Sequence, residues 1–204
     1  IVSFPAAAGL LALGAPIMRT LFERGAFDAG STAMSAACLA FFAVGLPFVS
    51  AVKVVAPAFF SLKDTRTPVV VGVAVVAVNA GLSLLLMGPL RVGGRALALS
   101  LSQVLNFVLL LVWLERKVGP TDKGRWAVSA AKSAAAAAVM GVFLYLAWPV
   151  LGVDRAAFVV RAAALAGAII SGMAIYLGLL RLVSPADLKS VFGILKDAAA
   201  KENT

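Results

Sequence analysis

Apolar runs of about 20 residues alternate with short polar breaks along the whole chain, the pattern of helices that cross hydrocarbon. Six such segments are predicted, at about 4–22, 33–62, 69–88, 96–114, 127–148 and 157–182. The breaks between them are Glu23–Thr32, Lys63–Pro68, Pro89–Arg95, Glu115–Arg125 and Pro149–Ala156. All are short, so successive helices should run antiparallel as neighbours. Behind the sixth segment the pattern changes. Ser184-Pro185-Ala186-Asp187 reads as a helix start, followed by Leu188, Val191, Phe192 and Leu195 at i, i+3, i+4 and i+7. That spacing predicts a short amphipathic helix lying on the membrane surface. The expected fold class is therefore all-α: a polytopic transmembrane bundle of six spanning helices with an amphipathic tail.

The stretch Ala51–Val71 breaks this regularity most. Lys53 lies inside the second segment, bracketed by Pro47 and Pro57. A charge and an interrupted hydrogen-bond ladder at membrane depth call for protein or water around them. Lys53 lies about seven residues from the Phe59-Phe60 end, roughly 10 Å deep at 1.5 Å per residue. Two readings stay open: its stem snorkels to the interface, or its ammonium faces a polar cavity. Thr67 followed by Pro68 reads as the cap and first turn of the next helix.

Composition excludes a soluble domain. Of 204 residues, 62% are hydrophobic and only 13% charged, against about half and a quarter in a soluble fold. The chain starts at Ile1, already in an apolar run and with no basic leader, which reads as the C-terminal part of a longer protein. A net charge of +9 would suggest nucleic acid in a soluble protein. Here the basic residues sit in short loops and the tail, which points to lipid headgroups and topology, and no nucleic-acid surface is expected.

Ten cations fall on one side (Lys63, Arg66, Arg116, Lys117, Lys123, Arg125, Arg181, Lys189, Lys196, Lys201) and six on the other (Arg19, Arg24, Arg91, Arg95, Arg155, Arg161). By the positive-inside rule the first set, with the C-terminus, is cytoplasmic. Trp113, Trp126 and Trp148 fall at segment ends, as interfacial anchors should.

Catalytic chemistry finds no support. There is no histidine and one cysteine, Cys38, and all nine acids lie in breaks, segment ends or the tail. No metal site and no enzymatic activity are expected. The informative polar residues inside segments are few. Asn79 and Ser83 share one face of the third, and Ser100, Ser102, Gln103 and Asn106 mark the fourth. Interhelical hydrogen bonding is the plainer reading of each, ligand binding the sharper. Ala134–Ala138, and the Ala163, Gly167, Ser171 stripe, suggest close helix packing.

Three blocks now stand in register: Arg19-Thr20-Leu21-Phe22-Glu23-Arg24-Gly25-Ala26-Phe27-Asp28; Val52 to Phe59 leading into Asp64-Thr65-Arg66-Thr67-Pro68-Val69; and Leu84-Leu85-Leu86-Met87-Gly88-Pro89-Leu90. Together they resemble the lipid II flippases (MurJ, formerly MviN) of the multidrug/oligosaccharidyl-lipid/polysaccharide exporter superfamily. The resemblance implies that the six segments match the ninth to fourteenth helices of a fourteen-helix protein with two lobes around a central cavity. On that basis 1–115 forms four helices of the C-terminal lobe, 116–182 a two-helix appendage and 183–204 a cytoplasmic tail.

It further implies a multi-pass protein of the bacterial inner membrane that moves undecaprenyl-diphosphate-linked muropeptide (lipid II) to the outer leaflet by alternating access. Lys53 is then the matching basic residue of the cavity, with Pro47 and Pro57 as hinges of its helix. Some relatives bind sodium between helices including the eleventh and twelfth, where Asn79 matches one ligand. Ser83 stands where a stronger oxygen ligand is common, Leu99 where threonine is frequent, and Arg95 replaces a small or apolar residue. No cofactor is implied, and coupling falls to the membrane potential or a monovalent cation. The partners implied are lipid II, membrane lipids and cell-wall synthesis proteins. The alternatives are export of another polyprenyl-linked glycan, cation or drug antiport within the superfamily, and a non-transporting scaffold for cell-wall enzymes.

Overall fold

The computed structural model describes residues 2–23, 27–90, 92–119, 123–153 and 157–183. Six helices account for their regular structure: α1 (Ser3–Phe22), α2 (Ala29–Ser61), α3 (Arg66–Leu90), α4 (Val92–Val118), α5 (Lys123–Val150) and α6 (Phe158–Val183). Each is long and apolar enough to cross a membrane. The amphipathic helix expected at 184–197, like the rest of the tail, lies outside the described residues.

Several helices run further into the connections than the hydropathy pattern predicts, and for α2, α3 and α4 a local cause is visible. α2 starts at Ala29 because Asp28 caps it, its carboxylate accepting from the Ser31 N–H at 2.8 Å. α3 starts at Arg66, before the expected Thr67-Pro68 signal. Its cap is Asp64, whose Oδ1 accepts from the Arg66 and Thr67 N–H groups, both at 3.1 Å. The expected Pro89–Arg95 connection is helical apart from Arg91, which falls outside the described residues. Gly94 allows this: a Cβ there would sit 2.2 Å from the Leu86 carbonyl oxygen, so only a residue without one lets the two backbones pass. Gly119, at φ 94°, ends α4 and donates its N–H to the Glu115 carbonyl at 2.9 Å.

The chain forms two compact units, one of α1–α4 and one of α5 and α6. Within the first, α2 and α4 pack along most of their length, with α1 on α2 and α3 on α4. α2 and α4 approach closely at Gly45 and Ser100: a Cβ on Gly45 would lie 2.9 Å from the Ser100 Cα. Ser100 itself donates its hydroxyl to the Phe41 carbonyl at 2.5 Å. Toward the α2–α3 turn, Val55 and Phe59 of α2, Val71 and Val75 of α3, and Leu110 and Leu114 of α4 form one buried cluster.

In the second unit, Ser133, Ala136, Ala137, Met140 and Leu144 are buried on one stripe of α5, so the alanine run does supply part of a packing face. The α6 stripe is a different one from that expected. Ala163, Gly167 and Ser171 are exposed, whereas Leu165, Gly172, Tyr176 and Leu180 are buried. A Cβ on Gly172 would meet Leu144 Cδ1 at 2.9 Å, so knob-and-notch packing against Leu144, rather than small residues stacked in register, sets this contact. Trp113 and Trp126 are exposed at helix ends, whereas Trp148 is only 8% exposed.

Candidate functional site

α2 carries Lys53 on an exposed face, on the opposite side of the helix from Val55, which is 5% exposed, and Phe59, which is fully buried. The apolar residues that anchor α2 to α3 and α4 thus leave the ammonium outside the four-helix unit. Among the described residues no hydrogen bond or ion pair reaches it. Pro57 stands four residues on, where its missing N–H would have bonded the Lys53 carbonyl. One residue therefore offers a cation and a main-chain oxygen released from the ladder. Pro47 does the same to Ala43, and both prolines sit inside one continuous 33-residue helix. Such a helix is about 50 Å long at 1.5 Å per residue, well beyond a bilayer core of about 30 Å.

The structure joins Asn79 to α4. Its Nδ2 donates to Ser102 Oγ at 3.2 Å, and that hydroxyl donates to the Ala98 carbonyl at 2.7 Å. The plainer of the two readings of Asn79 is thus realised as an interhelical bond. Ser83 is half-buried one turn further along the same face of α3, and Leu99 is 40% exposed on α4. No hydrogen bond connects Lys53 to Asn79 or Ser83 among the described residues. The structure therefore has two separate polar places rather than one constellation. The described residues hold no cluster of three or more metal-binding side chains.

Two polar connections were not evident from the sequence. Lys117, near the end of α4, donates to Asp64 Oδ2 and pairs with it, so the α2–α3 turn is fastened to α4. That lysine, and then Thr67, hold the Asp64 carboxyl well below the usual carboxylate range. In the same turn Lys63 takes φ 57°, while the Asp64 N–H bonds the Phe59 carbonyl at 2.9 Å and the Lys63 N–H the Phe60 carbonyl at 3.0 Å. This is a Schellman closure with lysine where glycine is usual. At the other end of α2, Glu23 Oε2 accepts from Thr32 Oγ1 at 2.9 Å and faces Arg19 Nε at 3.5 Å. The Asp28 carboxyl is likewise lowered, first by the Ser31 N–H. Arg19, Glu23, Asp28 and Thr32 thus form a polar clasp at the α1–α2 turn. The one signal in the sequence that could have found it is the i, i+4 spacing of Arg19 and Glu23 on one helix face.

The family model described as lipid II flippase MurJ matches residues 1–161. The chain belongs to that family. It is 35% identical over 211 residues to the probable lipid II flippase MurJ of Rhizobium meliloti (strain 1021), covering 98% of this chain and 38% of that protein. The corresponding protein of Rhizobium tropici is 35% identical over 96% of this chain and 37% of its own length. That of Vibrio cholerae serotype O1 is 33% identical over 89% and 35%. The chain thus spans under two-fifths of the length of these relatives. A solved structure titled lipid II flippase MurJ, inward closed conformation, matches with a TM-score of 0.67 at 23% identity, over 88% of this chain and 35% of that one. It shares the all-helical membrane fold.

Proposed function

We propose that this chain supplies part of a lipid II flippase, with α1–α4 as helices of the C-terminal lobe and α5 and α6 as its two-helix appendage. Family membership along most of the chain carries the reading. The substrate would be undecaprenyl-diphosphate-linked muropeptide, moved from the inner to the outer leaflet of the bacterial inner membrane. The chemistry is binding and transfer rather than bond making, which fits a transporter family.

The residue assigned to the substrate is Lys53. It is exposed on the four-helix unit, and a lysine ammonium attracts phosphate oxygens as a point charge without the fork geometry of arginine. Its cost in hydrocarbon is met if the face it occupies borders a water-filled cavity completed by the other lobe. Pro47 and Pro57 are assigned as the hinges that let α2 bend as the lobes rock. A monovalent cation near Asn79 and Ser83 would have to compete with the bond Asn79 makes to Ser102. The excess of basic residues on the side of the α2–α3 and α4–α5 turns supports a cytoplasmic C-terminus.

The test is rescue of cells depleted of their own lipid II flippase by the full-length parent, read as labelled lipid II reaching the outer leaflet. Rescue is expected. Failure of a stably inserted protein to rescue would transfer the reading to another polyprenyl-linked glycan.

A further inference from the structure

A cleft of about 270 Å³ opens between the start of α3 and the end of α4. Val70, Val71 and Ala74 of α3 form one wall, with Leu109 and Trp113 of α4 opposite. Arg66 and Thr67, in the first turn of α3, line its polar end. Val71 is 5% exposed and closes the floor, while Val70, at 67%, is an open lip. From Arg66 to Ala74 the cleft follows about 12 Å of helix axis at 1.5 Å per residue.

Its size limits the occupant. A further helix, about 10 Å across, would fill on the order of 900 Å³ over that length, so the cleft is too narrow for one. Pockets that enclose a whole small molecule start near 300 Å³, so this one takes part of a ligand. Apolar walls disfavour a free anion, which would have to shed water without gaining donors along them.

Charge identifies the rest of the ligand. The two segments that meet here, 62–67 and 113–118, hold four cations (Lys63, Arg66, Arg116, Lys117) against two acids, Asp64 and Glu115. Lys117 is committed to Asp64. The Arg66 and Thr67 N–H groups are also taken by Asp64, so it is the Arg66 side chain, not the helix end, that offers charge to a ligand. Arg116 Cζ lies 5.7 Å from the centre of the Trp113 ring, bringing a second guanidinium to the rim of the cleft. Tryptophan and arginine at a segment end are the residues of the headgroup level.

We propose that this cleft is a binding site for an anionic phospholipid, with one acyl chain along Val70, Val71 and Leu109 and the phosphate on Arg66. The site is distinct from the Lys53 face and does not depend on the substrate proposed above. A lipid held here would pin the α3–α4 hairpin to the anionic leaflet beside the Asp64–Lys117 pair.

The test places the protein, with Trp113 as its sole tryptophan, in phosphatidylcholine vesicles. Brominated-chain phosphatidylglycerol or brominated-chain phosphatidylcholine is then titrated in as a quencher of Trp113 emission. Phosphatidylglycerol should quench at about fivefold lower mole fraction, the preference expected of one cation–headgroup contact at a membrane surface. Arg66→Gln, on an exposed side chain, should bring the two lipids level, and Ala74→Phe should weaken quenching by both. Equal quenching in the parent protein would overturn the proposal. So would a preference untouched by Arg66→Gln, quenching indifferent to Ala74→Phe, or no quenching by either lipid because protein covers the cleft.

Discussion

Gly45→Ala tests the packing that positions α2. The added methyl would lie 2.6 Å from Ser100 Oγ and 2.9 Å from the Ser100 Cα. The second of these is backbone, so a rotamer change cannot relieve it and the helices must separate. Overpacking of this kind costs about 1–3 kcal/mol. Separation also stretches the bond from Ser100 to the Phe41 carbonyl, 2.5 Å in the parent, at a further cost of about 0.5–1.5 kcal/mol. The expected loss is thus about 1.5–4.5 kcal/mol, read as reversible unfolding in detergent or by steric trapping in bilayers. Gly72→Ala is the matched control. Nothing lies within 4 Å of a Cβ at Gly72, so only the helix-propensity gain of up to about 1 kcal/mol remains. Two variants of the same chemistry should therefore move stability in opposite directions. If Gly45→Ala stays within about 0.5 kcal/mol of the parent, inside the scatter of ordinary surface changes, the tight α2–α4 crossing is wrong.

Lys63→Gly should stabilise the protein by about 1 kcal/mol, by relieving the left-handed backbone at φ 57°, and thermal unfolding will show it. The folded state lowers the Asp64 carboxyl, so its contribution is complete above the unfolded value near 4 and is lost as pH falls below it. Asp64→Asn should accordingly flatten the acid limb of a melting-temperature profile below about pH 4 while leaving the neutral region parallel to the parent. Asn79→Ala and Ser102→Ala should be non-additive, with a coupling of about 0.6 kcal/mol in a double-mutant cycle, the mean for membrane interhelical bonds.

Hydropathy alone exposed all six helices, because lipid demands some 20 apolar residues from each. Their ends were less visible. Asp64 and Asp28 extend α3 and α2 by capping from positions that read as loop, and capping depends on geometry that an apolar window does not register. Gly93 and Gly94 fell within the expected Pro89–Arg95 break, yet both residues are helical where Gly94 passes Leu86. The α6 stripe failed for a related reason. Small residues at i and i+4 permit close approach, but Leu144 settles against Gly172 instead. Lys53 stood out from composition alone, since a cation within an apolar segment is rare. What faces it did not, because the side chains that surround a residue in a fold lie far apart in sequence. The Asp64–Lys117 pair joins residues 53 positions apart and left no local signature.

The role proposed for Lys53 requires that it face water and substrate rather than lipid. The direct measurement is thiol accessibility of Lys53→Cys in the full-length protein with every other cysteine, including Cys38, replaced. Membrane-impermeant charged reagents should label the new thiol, and added lipid II should slow the labelling. A thiol that resists aqueous reagents but reacts with apolar ones, at a rate lipid II leaves unchanged, would place residue 53 against the bilayer and contradict the role proposed for it.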